Sequence, residues 1–120
     1  MAAGRYDIKI EQGSTFTLNL TYKDSNDQPL NLSTYQSRMK IKDSHEGSVI
    51  ASTESGDAPL NTISIALGSS TNNVVVTITN TATAAFNFDH AVYDIELVSN
   101  SGAVERLIEG RVFLSKEVTS

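Results

Sequence analysis

Thr15-Phe16-Thr17-Leu18-Asn19-Leu20-Thr21-Tyr22 alternates without a break. Phe16, Leu18, Leu20 and Tyr22 fall on one side of an extended chain, and Thr15, Thr17, Asn19 and Thr21 on the other. Successive side chains of a strand point to opposite faces, so this pattern predicts a strand with one face in a core and one in water.

The same period runs in both directions from it. Upstream, Tyr6, Ile8 and Ile10 alternate with Asp7, Lys9 and Glu11, and Gln12-Gly13-Ser14 breaks the two runs apart. Downstream, the cluster Lys23-Asp24-Ser25-Asn26-Asp27 predicts a tight turn, because short polar side chains bond their own backbone and tolerate left-handed angles. Ser37 to Lys42 reads as a strand with Met39 and Ile41 inward and Arg38, Lys40 and Lys42 outward. Val49 to Thr53 reads as a short strand, and the Pro59-containing loop after it as irregular. Ile63-Ile65-Leu67 and Val74-Val76-Ile78, joined by Gly68 to Asn73, read as a hairpin.

Thr81 to Phe86 loses the alternation in small residues that a preceding Thr can cap as one helical turn. Tyr93, Ile95 and Leu97 then alternate with Val92, Asp94 and Glu96, and Asn100-Ser101-Gly102 signals a hairpin. Beyond it lie Val104 to Glu109 and Arg111 to Leu114, with Gly110 between them predicting a bulge or bend. About seven to nine strands at intervals of roughly 8 to 12 residues predict an all-β, antiparallel sandwich with one short helical turn. A chain of 120 residues has room for one such domain, spanning 1–120, with residues 1–4 as a flexible or interface arm.

Composition narrows the function. A formal charge of -5 lacks the positive excess that phosphate backbones attract, so nucleic acid is not an expected partner. Without cysteine there is neither a disulfide framework nor a thiolate metal site. No apolar run follows Met1-Ala2-Ala3-Gly4-Arg5, and no stretch approaches the roughly 18 apolar residues of a membrane span, so neither a secretory leader nor a membrane is expected.

Candidate chemistry is thin. His45 and His90 each sit beside an acid in turn-like segments, and both read as solvated. Asp24-Ser25-Asn26-Asp27 imitates the start of a calcium loop, but Pro29 and Tyr35 stand where Gly and a bidentate Glu are needed, so a plain turn is expected. Asp89 with Asp94, or Glu105 with Glu109, are the carboxylate pairs a glycosidase would use; acids on outer strand faces ordinarily do no more than face water. No catalytic, metal-ligating or cofactor-binding residue is assigned, and no cofactor or enzymatic activity is expected. The cluster Lys23, Arg38, Lys40 and Lys42 suits an anionic partner or, more readily, protection of a sheet edge. Val75 is apolar on the face that should meet water, which predicts a covered face and makes Val75, Arg38, Lys40 and Lys42 the candidate interface.

The run Tyr6-Asp7-Ile8-Lys9-Ile10-Glu11-Gln12-Gly13-Ser14-Thr15-Phe16 resembles the opening of small virion proteins of tailed bacteriophages. Tyr22-Lys23-Asp24, Gln28-Pro29-Leu30-Asn31-Leu32-Ser33-Thr34-Tyr35, Arg38-Met39-Lys40-Ile41-Lys42, Tyr93-Asp94-Ile95-Glu96-Leu97, Arg106-Leu107-Ile108-Glu109-Gly110 and Glu117-Val118-Thr119 continue the likeness. The chain is also similar to the immunoglobulin-like N-terminal module of phage baseplate upper proteins, departing from it at Asn31, where Asp is usual, and at Asp27-Gln28, where a Gly usually closes the turn. The resemblance implies an immunoglobulin-like fold and a non-enzymatic virion component, made in the host cytoplasm. It would be an adaptor of tail, baseplate or neck that contacts other virion proteins and repeats as a homo-oligomer in a symmetric assembly. A head decoration or cement protein is the alternative it leaves open, and a host-glycan-binding adsorption module is the alternative from a different class.

Overall fold

A computed structural model describes residues 4–118. The strands are β1 (Gly4–Arg5), β2 (Ile8–Glu11), β3 (Phe16–Leu20), β4 (Gln36–Lys42), β5 (Val49–Ser52), β6 (Ile63–Leu67), β7 (Val74–Ile78), β8 (His90–Val98) and β9 (Val104–Ser115), with one helical turn, α1 (Asn80–Ala84). A single 3-10 turn at Ser55–Asp57 joins β5 to β6.

They form two sheets. The larger runs β1-β9-β8-β4-β5, with β2 also on β9, and the smaller runs β3-β7-β6. Hairpins β4–β5, β6–β7 and β8–β9 each stay within one sheet, while the connections β2–β3, β3–β4, β5–β6 and β7–β8 cross between sheets. In that connectivity β3, β7 and β6 take the places of strands B, E and D of an immunoglobulin sandwich, and β4, β8 and β9 those of C, F and G, so the fold is an immunoglobulin-like β-sandwich.

The alternation seen in the sequence is the alternation of burial. Val74, Val76 and Ile78 of β7 are sealed from solvent because β7 is the central strand of the small sheet. Opposite them lie Met39 and Ile41 of β4 and Ala91, Tyr93, Ile95 and Leu97 of β8, also buried. Phe16, Leu18 and Leu20 are only half-buried, since β3 is an edge strand with a neighbour on one side. Leu32 and Phe86, from crossing connections, close the two ends of the core.

Local chemistry sets the boundaries. The Thr79 hydroxyl accepts from the Ala82 N–H and caps α1, as the Thr-rich composition predicted. In the turn after β3, the Asp24 carboxylate accepts from the N–H groups of Asn26 (2.8 Å) and Gln28 (3.1 Å). Asp27 sits there at φ 62, the left-handed angle that glycine would hold at less cost.

Four expectations change. The N-terminal strands pair with β9 in parallel, so the sandwich is not purely antiparallel. Gly4 of the expected arm lies in β1; residues 1–3 fall outside the described residues. Tyr6 is not on the buried face with Ile8 and Ile10 but 50% exposed, because the chain leaves the strand at Tyr6 and Asp7 and re-enters it at Ile8.

The fourth concerns Gly110. β9 is continuous through it, and the irregularity lies earlier, where Ile95 faces Ile108 but Glu96 faces Arg106, leaving Leu107 unopposed. Gly110 instead accommodates the N-terminal segment: a Cβ there would stand 2.2 Å from the Tyr6 carbonyl oxygen. That carbonyl accepts from the buried Tyr93 hydroxyl, and the Asp7 carboxylate accepts from the Arg111 N–H at 2.8 Å. Burial first, and then the nearby Asp7 charge, push the Tyr93 hydroxyl well above its usual range, so it stays protonated as a donor.

Candidate functional site

Val75 and the three basic residues lie on opposite sides of the molecule. Arg38, Lys40 and Lys42 project from the outer face of the large sheet, whereas Val75 projects from the outer face of the small sheet. The candidate interface is therefore two surfaces, back to back.

The large-sheet surface is a lattice of opposite charges. Register places Arg38 beside Glu96, Lys40 beside Asp94 and Lys42 beside Val92 on β8, and Asp94 beside Glu109 and Glu96 beside Arg106 on β9. Arg38 Nη2 meets the Glu96 carboxylate at 3.0 Å, Lys40 Nζ meets Asp57 at 3.2 Å, and Arg106 spans Asp94 and Glu109 at 3.5 Å each. His45 joins Lys40, Lys42, Asp94, Arg106 and Glu109 around a shallow depression of about 210 Å³.

Edge protection is not the role of these cations. β4 is bonded on both sides, to β8 and to β5, so it is an interior strand. Lys23 stands apart from the three, paired with Asp27 in the turn after β3. The basic residues were legible as an outward row, but their acidic neighbours come from β8 and from the 3-10 turn, which only the fold brings beside them.

The proposed carboxylate pairs are not brought together either. Asp89 pairs with Lys116, while Glu105 turns toward the other sheet and accepts from the Tyr22 hydroxyl at 2.9 Å. Asp94 and Glu109 are the acids that register makes neighbours, with Arg106 between them. His45 and His90 are exposed in or beside turns. Among the described residues no three His, Asp or Glu side chains gather in a way that could hold a metal ion.

The lattice splits two carboxyls in opposite directions. The nearby Ser52 hydroxyl and then the Lys40 ammonium hold Asp57 below the usual carboxylate range. Lost hydration, then the Glu96 charge, raise Asp94 against the pull of Arg106. A carboxyl-detected NMR titration should show Asp94 protonating at higher pH than Asp57 as acid is added; the reverse order would contradict this geometry. Asp57 favours folding when ionised, a contribution lost as pH falls through its lowered folded value. Ionised Asp94 opposes folding, and that penalty is relieved as pH falls through its raised value. Arg106→Ala should raise Asp94 further and leave Asp57 unmoved.

The small-sheet surface is the chemical opposite. Thr17 and Asn19 of β3, Val75 and Thr77 of β7, and Ser64 and Ala66 of β6 share it in register, and none carries a charge. Val75 sits at its middle, half-buried between Asn19 and Ala66. Among the described residues no layer covers it. The sequence pointed to Val75; it could not show that five uncharged neighbours surround it, since they come from three strands.

Comparison of the chain with protein-family models gave no match, and comparison with curated proteins gave none.

Proposed function

We propose that the protein is a non-enzymatic structural adaptor of a tailed-bacteriophage particle, placed in the tail, baseplate or neck, that joins two unlike neighbours through its two outer sheet faces. The observation that carries this reading is the contrast between those faces. One presents self-paired charges suited to a polar, specific contact, and the other a flat uncharged sheet suited to close packing. The resemblance of the Tyr6–Phe16 opening and of the later motifs to small virion proteins supports the particle as the setting. Neither contact needs a cofactor or a reaction.

Imaging of purified particles with a labelled antibody against the chain tests the proposal. Label at the tail, baseplate or neck supports it, and absence from particles would sink it. Label confined to the head would instead favour a decoration protein.

Val75→Lys tests the neutral face in particular. A lysine there can reach water from an outer face, so the isolated domain should keep its fold within about 1 kcal/mol. Incorporation into particles should fall. An isolated variant that unfolds would show that Val75 serves the domain's own stability and not a contact.

A further inference from the structure

We infer that β6 is a pairing edge for a second copy of this chain, joining two small sheets into one six-stranded sheet about a two-fold axis at Ile65. The inference rests on backbone parity and charge and does not depend on the adaptor reading.

The parity can be derived. Gly68 N–H donates to Asn73 O at 2.9 Å, and β6 pairs with β7 in unbroken antiparallel register, Leu67 with Val74 through Ile63 with Ile78. In such a ladder directly bonded pairs alternate with unbonded ones. Ala66 and Ser64 therefore direct their N–H and C=O groups to β7, as Gly68 does its N–H, and Leu67, Ile65 and Ile63 direct theirs outward; Gly68 O accepts from Leu32 N–H at 2.9 Å.

Among the described residues no strand lies beside these outward groups, for β6 ends its sheet. Two other edges are guarded. Along β5, Ser52 N–H donates to Leu60 O at 2.9 Å, so the following loop occupies that side. Beside β3, the charged Lys9 and Glu11 of β2 line a common depression with Thr15 to Thr17. β6 has no Pro, no charge and no bulge, the devices by which edges avoid pairing.

A second copy fits this edge better than an unrelated strand because the sequence is self-complementary. An axis at Ile65 sets Ile65 opposite the partner's Ile65, Ile63 opposite the partner's Leu67, and Ser64 opposite the partner's Ala66. Odd-numbered residues, whose backbone groups point outward, are then the directly bonded pairs, as an antiparallel ladder requires. Ile65 and Leu67, half-buried in one chain, gain cover from their counterparts and extend the core across the junction. Charge points the same way. Two chains of formal charge -5 repel over most of their surface, and this edge opposes no like charges.

Amide hydrogen exchange on the full chain across protein concentration tests the pairing. Dilute protein should protect Ser64 and Ala66 but not Ile63, Ile65 and Leu67, and concentrated protein should protect all of them. Two double variants then test the register. Ser64→Lys with Ala66→Lys sets lysine opposite lysine across the axis and should weaken dimerisation by about tenfold at low salt. Ser64→Lys with Ala66→Glu sets lysine opposite glutamate and should dimerise at least as well as the wild type. Both positions are on the exposed outer face, so both variants should fold, checked by thermal midpoint. Exchange at Ile63, Ile65 and Leu67 that ignores concentration would overturn the inference. A dimer weakened equally by both double variants would overturn it too.

Discussion

Replacing Asn73 by alanine is expected to lower the unfolding free energy by about 2 to 3 kcal/mol, one of the largest single-residue losses expected in the chain. Asn73 is 1% exposed at the end of the β6–β7 hairpin, where its side chain ties down two crossing segments. Its amide oxygen accepts from Tyr22 N–H at 2.7 Å, and its amide nitrogen donates to Tyr22 O at 2.9 Å and Leu30 O at 2.8 Å. Alanine leaves the part-buried Tyr22 N–H and Leu30 O without partners, each costing roughly 1 kcal/mol or more, and takes one of two donors from Tyr22 O, which keeps the Leu30 N–H at 2.9 Å. Chemical denaturation should show the loss as a lower midpoint with an unchanged slope. A loss under about 1 kcal/mol would mean that water replaces the amide.

Asn73→Asp refines the same argument. The carboxylate keeps an acceptor for Tyr22 N–H but faces two carbonyl oxygens where the amide donated. Its folded pKa must therefore rise above the unfolded value of about 3.9. For an acid with a raised folded value, the penalty is small below the unfolded pKa and grows as pH rises through the window between the two. The deficit relative to wild type should accordingly be larger at neutral pH than in acid.

Asn73 also marks the limit of what was legible in the sequence. Its segment, Gly68 to Asn73, has turn composition and is a turn, yet nothing local tells a solvated turn asparagine from one buried against Tyr22 and Leu30. Period-two runs gave the faces of β4, β7 and β8 correctly, because burial on one side imposes the pattern residue by residue. The same runs could not order the strands. β3 alternates as cleanly as β7 but is half-buried, since edge and centre differ only in how many neighbours a strand has. Arg38, Lys40 and Lys42 were outward in the sequence and are outward in the structure. Whether an outward row guards an edge or joins a lattice depends on Asp94, Glu96 and Asp57, at sequence separations no local pattern spans. The parallel docking of β1 and β2 on β9 was invisible for the same reason.

That docking supplies the other large expected effect, Gly110→Ala, which should cost about 3 kcal/mol and loosen the N-terminal segment in particular. The added methyl would lie 2.2 Å from the Tyr6 carbonyl oxygen and 2.8 Å from its carbon, both backbone atoms that cannot rotate away. Gly110 is not among the positive-φ glycines, Gly13 and Gly102, so alanine brings no strain of its own and the clash is the whole effect. Relief requires Tyr6 and Asp7 to lift from β9. They then give up the bonds from the Tyr93 hydroxyl and from Arg111 N–H, together with that from Tyr6 N–H to Glu109 O at 2.9 Å. Ile8 and Ile10 follow directly on and are buried, so the displacement is resisted by the core itself. Amide exchange should rise first at Tyr6 and along β1, while the β6–β7 hairpin stays protected. A double-mutant cycle isolates the cause: in a chain shortened to begin just before Ile8, the same Gly110→Ala change should cost under about 0.5 kcal/mol, because nothing remains over the methyl. An equal loss in both backgrounds would place the role of Gly110 within β9 and not in its contact with Tyr6.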